Sequence, residues 1–252
     1  MAGAELERAG VLGVAMFCLQ ASIGSLNDLA DVGRDRDRKP GKPLPRGQVS
    51  LGVARLITGA GLLAGLALSL VGGPATLAVA VVGVAVGYLY DLRLKAGRWS
   101  WLAFAIGLPL LPVYAWIGAT GGIPTAFVVL VPLAVIGGAA LALANELADD
   151  ERDRGAGLRT AVGSLGRERA WRAGALLEAV VAVVATGSLV AVGAPILAIG
   201  TADGSIALLM IGLALGRSSR AGTRERGWEL QAIGLAALGL AWLGGLAGRS
   251  LL

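Results

Sequence analysis

Histidine is absent from this chain of 252 residues, and cysteine occurs once, at Cys18. Without imidazole no catalytic scheme can rest on a histidine base, and no Cys/His cluster can hold a zinc ion. A single cysteine forms no internal disulfide. Charged residues make up 15% of the chain, against about 25% in a soluble domain. The opening residues, MAGAELERAG, lack the basic region and small-residue cleavage site of a secretory signal, so the first apolar stretch reads as a retained helix.

What is abundant is apolar. Hydrophobic residues account for 56% of the chain, and the mean hydropathy is +0.73. A helix needs roughly 20 mostly apolar residues to cross the hydrocarbon core. Eight stretches qualify, over residues 9–27, 51–71, 75–92, 100–118, 123–145, 170–192, 196–216 and 228–248. The expected fold is therefore all-α, a polytopic transmembrane helical bundle of about eight spans in one domain, 1–252. The 40 glycines suit such a bundle, because small residues let helix backbones approach closely in lipid.

The net charge of +5 could suggest nucleic acid, but its placement argues otherwise. Of the 22 Lys and Arg, all but Arg8 and Arg249 fall in four connections: Arg34 to Arg55, Arg93 to Arg98, Arg152 to Arg172, and Arg217 to Arg226. The intervening connections, around Gly72, Ala119–Gly122 and Gly193, carry none. Basic residues are retained on the cytoplasmic face of a membrane protein. The alternation predicts four cytoplasmic loops and both termini outside, and no nucleic-acid motif accompanies it.

Two of these loops hold more than a solubilising connection needs. One begins Asn27-Asp28-Leu29-Ala30-Asp31-Val32-Gly33-Arg34-Asp35, and the other Asn145-Glu146-Leu147-Ala148-Asp149-Asp150-Glu151-Arg152-Asp153. Both contain Asn-x3-Asp-x3-Asp, displaced by 118 residues. On a helix, positions i, i+4 and i+8 share one face, so each segment aims an amide and two carboxylates in one direction. Asp37 and Asp150 lie off that repeat and face elsewhere. Mg²⁺ is commonly held by one or two carboxylates together with phosphate oxygens, and ionisable groups at a membrane boundary tend to mark function. Solvated or arginine-paired carboxylates are the plainer reading of either segment alone; the matched spacing of the pair favours a metal site. Basic residues follow the first segment, in Lys39-Pro40-Gly41-Lys42-Pro43, and a Gly-Leu-Arg-Thr turn containing Arg159 follows the second. Arg93 and Lys95 read either as positive-inside anchors or as phosphate ligands.

With those residues in view, the chain resembles the UbiA-type intramembrane prenyltransferases. Asn27, Asp28, Asp31 and Asp35, followed by Lys39, Pro40, Pro43, Leu44 and Gly47, are similar to the family's first motif; Asp149, Asp153, Gly157 and Thr160 are similar to its second. Tyr90 and Lys95 resemble the element between them. The resemblance implies a helical bundle around a central cavity that binds a prenyl diphosphate. It implies Mg²⁺ on Asp28, Asp31, Asp35, Asp149 and Asp153, with Asp31, Asp35, Asp149 and Asp153 catalytic. Asn27, Lys39, Lys42, Tyr90, Lys95, Asn145 and Arg159 would bind diphosphate. Loss of diphosphate then gives an allylic cation that a small-molecule acceptor attacks, in a bacterial or archaeal plasma membrane with the site facing the cytoplasm. The two acidic groups are expected to face one cavity.

Against the family pattern, the usual first helix is absent by this reading, Lys42 stands where Arg is commoner, and the three Phe and three Tyr offer few aromatic faces to a cation. A CDP-alcohol phosphotransferase needs its aspartates in one run, whereas here Asp203-Gly204 is isolated. A transporter should bury ionisable groups deep in the membrane, where only Glu178 and Asp203 qualify. A non-catalytic scaffold of the same fold is the remaining alternative.

Overall fold

The computed structural model describes residues 6–38, 41–95 and 97–247, with backbone alone at 37 and 38. Among the described residues there are nine α-helices and no strand: α1 Leu6–Arg38, α2 Leu51–Ser69, α3 Pro74–Leu89, α4 Ser100–Thr120, α5 Phe127–Gly155, α6 Ala161–Leu165, α7 Arg167–Ala191, α8 Ile196–Gly216 and α9 Ala221–Leu246. All but α6 are long and apolar enough to cross a membrane. Each expected span lies on one of these eight helices. The fifth begins later than expected, at Phe127, because residues 124–130 enter through i→i+3 turns such as Phe127 N–H to Pro124 O at 3.0 Å. α1 and α5 run on past their apolar stretches, so both acidic segments are helical.

The chain divides into two compact units, Ala2–Lys95 with Leu110–Ile123, and Ala96–Pro109 with Pro124–Leu252. In the first, α1 packs along α2 and against α3. Small residues set the distance: a Cβ on Gly61 of α2 would lie 2.7 Å from the carbonyl of Cys18 on α1. Ser22 on α1 donates to Thr58 O on α2 at 2.6 Å and its oxygen lies 2.7 Å from the Tyr88 hydroxyl. One buried serine thus ties three helices where no water is available to satisfy polar groups. Leu12, Leu19, Ala80, Val84 and Tyr114 form the core.

The second unit is built on α5, whose inward face packs against α7 and α9, while α8 lies along α9. Again glycine permits it: a Cβ on Gly227 would lie 2.7 Å from Gly212 O. The outer surfaces are apolar, with Leu63, Val183 and Leu240 each 71% exposed. In water such patches would drive association; in lipid they are the required exterior.

Candidate active site

The first acidic row sits at the end of α1. Asn27 is half-buried and Asp31 and Asp35 are buried on the same helical face, as the i, i+4, i+8 spacing requires. Two lysines from elsewhere reach this row. Lys95 Nζ donates to Asn27 Oδ1 at 2.5 Å and also to Asp31 Oδ2. Lys42, from the loop after α1, donates to Asp28 Oδ1 at 2.7 Å, and lies 2.7 Å from Asp35 Oδ2 as an ion pair. That second contact is close but off hydrogen-bonding geometry, since Asp35 Oδ2 has no hydrogen-bond partner among the described residues. Partial burial draws the Lys42 ammonium down, but its contacts with Asp28 and Asp35 outweigh this and hold it above the ordinary lysine value. Arg34, one turn along, closes on the other oxygen of Asp31.

Lys95 therefore belongs to the site, whereas Arg93 is exposed. A local distortion places it: α3 ends in a π-helical turn, Tyr90–Leu94, closed by Lys95 N–H to Tyr90 O at 2.9 Å. Such turns recur at functional sites. The same turn buries Asp91, a residue that the sequence pattern did not single out; its position one turn before Lys95 was the available signal. Lys39 lies outside the described residues, as does the side chain of Asp37.

The second row lies at the end of α5, in the other unit. Asn145, Asp149 and Asp153 are half-buried, while Asp150 is buried. Arg152 Nη1 donates to Asp149 Oδ1 at 2.5 Å. Asp150 faces away from the row, bonded to Arg154 at 2.9 Å and 3.7 Å from Arg167. Arg159 is exposed in the turn that follows, where Gly157 takes a left-handed φ of 70°.

The two rows differ beside their asparagines. Asp28 is half-exposed and meets Lys42, but its counterpart Glu146 is buried and accepts from the Ser100 hydroxyl and from Val162 N–H at 2.9 Å. Glu146 thereby pins the start of α6, whose N-cap Thr160 accepts from Gly163 N–H at 3.0 Å. Arg224 is a further residue that charge counting read only as a loop anchor. It is 1% exposed, bonds Leu147 O, Ser218 O and Ser219 O at 2.8, 3.0 and 3.1 Å, and pairs with Glu151. It fastens α9 to α5 at the level of the second row. Of the two deeper acids, Glu178 is buried with neither oxygen hydrogen-bonded among the described residues, and Asp203 is exposed.

The model of the UbiA prenyltransferase family matches residues 3–233. The chain belongs to that family. Among curated UbiA-like relatives, digeranylgeranylglyceryl phosphate synthase of Methanopyrus kandleri is 27% identical over 90% of this chain and 84% of its own length. The enzyme of the same name from Methanoculleus marisnigri is 32% identical over 34% of this chain, and chlorophyll synthase of Oryza sativa subsp. japonica 30% identical over 61%. These last two matches span only 30% and 44% of the relatives' lengths. Among solved structures, the apo UbiA homolog of Aeropyrum pernix K1 superposes with a TM-score of 0.74 at 20% identity, over 95% of this chain and 90% of that one. The Archaeoglobus fulgidus UbiA homolog bound to GPP and Mg²⁺ gives 0.70 at 21% identity, over 96% and 90%. The fold is that of the UbiA homologues, and the chain is a membrane protein of the UbiA prenyltransferase family.

Proposed function

We propose that this UbiA-family protein transfers a prenyl group from a prenyl diphosphate to a small-molecule acceptor in a Mg²⁺-dependent reaction, as one catalytic domain over 1–252. The observation that carries the reading is the convergence of Lys42 and Lys95 on Asn27, Asp28, Asp31 and Asp35. Oxygen donors alone, with cations beside them, suit a hard metal ion on a polyanion. Among the described residues no three carboxylates form a ready-made metal cage. Mg²⁺ does not need one, since substrate phosphate and water commonly complete its shell.

In this reading Asp28, Asp31 and Asp35 would hold Mg²⁺ for the diphosphate, and Asp149 and Asp153 of the second row would be metal ligands as well. The bound metal would act as a Lewis acid on the leaving oxygens. Lys42 and Lys95 face the phosphates, with Lys39 and Arg159 adding positive charge; Asn27, Asn145 and Tyr90 orient the headgroup by hydrogen bonding. An apolar surround keeps water from the cation formed as the carbon–oxygen bond breaks. The four basic connections face the cytoplasm, where a charged headgroup is available, and the prenyl tail lies in the lipid.

The relatives support the donor class and leave the acceptor open: a glyceryl phosphate lipid enzyme and a chlorophyll enzyme stand side by side among them. The test is diphosphate release from labelled DMAPP, GPP and longer prenyl diphosphates in reconstituted protein, with and without Mg²⁺, against a panel of acceptors. Mg²⁺-dependent release with formation of a prenylated acceptor is expected. No release with any donor would refute the reading and favour a non-catalytic role.

A further inference from the structure

Asp91 is the second residue of the π-helical turn that ends α3. It is 6% exposed, and its Oδ2 has no hydrogen-bond partner among the described residues. It nevertheless sits among the charges of Lys95, Asp31 and Asp28. A buried carboxylate oxygen left unpaired is costly, and a native structure keeps one for a reason. Arg93, two residues on, is exposed; Lys95, four residues on, stands at the spacing at which side chains of one helix meet.

Lys95, however, directs its ammonium at Asn27 and Asp31. Asp31 is doubly engaged, with Arg34 on Oδ1 and Lys95 on Oδ2. Asp31 thus has more cationic partners than it needs, and Asp91 has an unbonded oxygen. A Mg²⁺ ion on Asp31 would displace the ammonium, since two like charges cannot share one carboxylate oxygen cheaply. Asp91, on the same turn and within the field of the Lys95 charge, is an anion with an oxygen still unbonded.

We propose that Asp91 is a positioning residue that receives the Lys95 ammonium when Mg²⁺ occupies Asp31. The lysine then keeps a fixed place beside the diphosphate, and Asp31 is released for the metal. This rests on the Mg²⁺–diphosphate reading of the site.

The experiment is Mn²⁺ binding to detergent-purified full-length protein, read as loss of the free-ion paramagnetic resonance signal, for the parent, Asp91→Asn, Lys95→Met and the double variant. Asp91→Asn should weaken Mn²⁺ binding roughly tenfold, the scale on which partners of metal ligands act. Lys95→Met should bind at least as tightly as the parent, because Asp31 Oδ2 no longer has a competitor. In that background Asp91→Asn should add nothing, the mark of two residues acting as one unit. Parent affinity in Asp91→Asn overturns the proposal. Equal weakening in both backgrounds also overturns it and makes Asp91 a metal ligand in its own right. A parent that binds no Mn²⁺, either alone or with inorganic diphosphate present, removes the metal reading itself, a different failure. Should Asp91→Asn not fold, a structure of the parent with Mg²⁺ and inorganic diphosphate decides: Lys95 Nζ within hydrogen-bond reach of Asp91 is expected, and Lys95 still on Asp31 overturns the proposal.

Discussion

Lys95 Nζ meets Asn27 Oδ1 at 2.5 Å, joining residues 68 apart in the chain. The contact needs the π-helical turn at the end of α3, which brings the lysine to the α1 row, and it joins an amide to a charge that no local rule pairs. In the proposed reaction Lys95 stabilises charge developing on the leaving diphosphate. Lys95→Met should lower diphosphate release roughly a hundredfold, as loss of one preorganised electrostatic donor does. Lys95→Arg should recover part of it. Release assays on variants matched for thermal unfolding check this; parent-like turnover in Lys95→Met would remove Lys95 from the mechanism.

Lys42 bridges Asp28 and Asp35 from the loop after α1. Its contacts raise its pKa above 10.5, so the folded state binds this proton more tightly than the unfolded chain does. The stability it contributes is therefore fully present at neutral pH, and is lost as pH rises through the folded value. Melting temperatures of the parent and Lys42→Met should differ at neutral pH and converge in strong alkali. A constant difference across the range would show that the charge of Lys42 is not what stabilises the loop.

The spans and the helical character of both acidic segments were legible in the sequence. They depend on local periodicity and on lipid, which acts on every helix alike. The roles of Glu146, Arg224 and Asp91 were not. Asp28 and Glu146 occupy equivalent places in the repeat, yet one meets Lys42 and the other holds Ser100 and Val162. That difference arises from what packs opposite, which no spacing encodes. Likewise Arg224 looks like any positive-inside anchor until α9 docks on α5 and buries it.

Arg224 bonds three backbone carbonyls, of which Leu147 O is buried, and pairs with Glu151. Arg224→Met removes the donors and should cost about 2–3 kcal/mol, the scale of losing a charge-assisted bond to a buried acceptor together with weaker bonds to part-exposed ones. Arg224→Lys should recover only part, because a compact ammonium cannot reproduce the planar fork. Thermal unfolding in detergent reads both. Because Arg224 touches neither row, the protein that remains folded should still bind Mn²⁺ as the parent does; weakened binding at full stability would place it in the site instead.

Asp149 and Asp150 are neighbours on α5, about 100° apart around the helix, and their surroundings assign them opposite work. Asp149 is half-buried in the row with Asn145 and Asp153. Asp150 is 2% exposed and held by Arg154 and Arg167. Asparagine keeps the size and hydrogen-bonding capacity of either residue and removes only its charge. Asp149→Asn should abolish most diphosphate release with little change in melting temperature, because a half-exposed carboxylate is lost to the metal and no packing is lost; Asp31→Asn should abolish release too, and also lower the melting temperature, because Arg34 and Lys95 lose a buried charge. Asp150→Asn should do the reverse: it leaves Arg167 with a weaker partner, costs about 1–3 kcal/mol of stability, and keeps turnover in the folded fraction. The two variants, assayed together for release and for unfolding, separate a ligand from a brace. Loss of release in Asp150→Asn with parent-like stability would reverse the assignment. Parent-like release in both Asp31→Asn and Asp149→Asn would mean that neither row holds the metal.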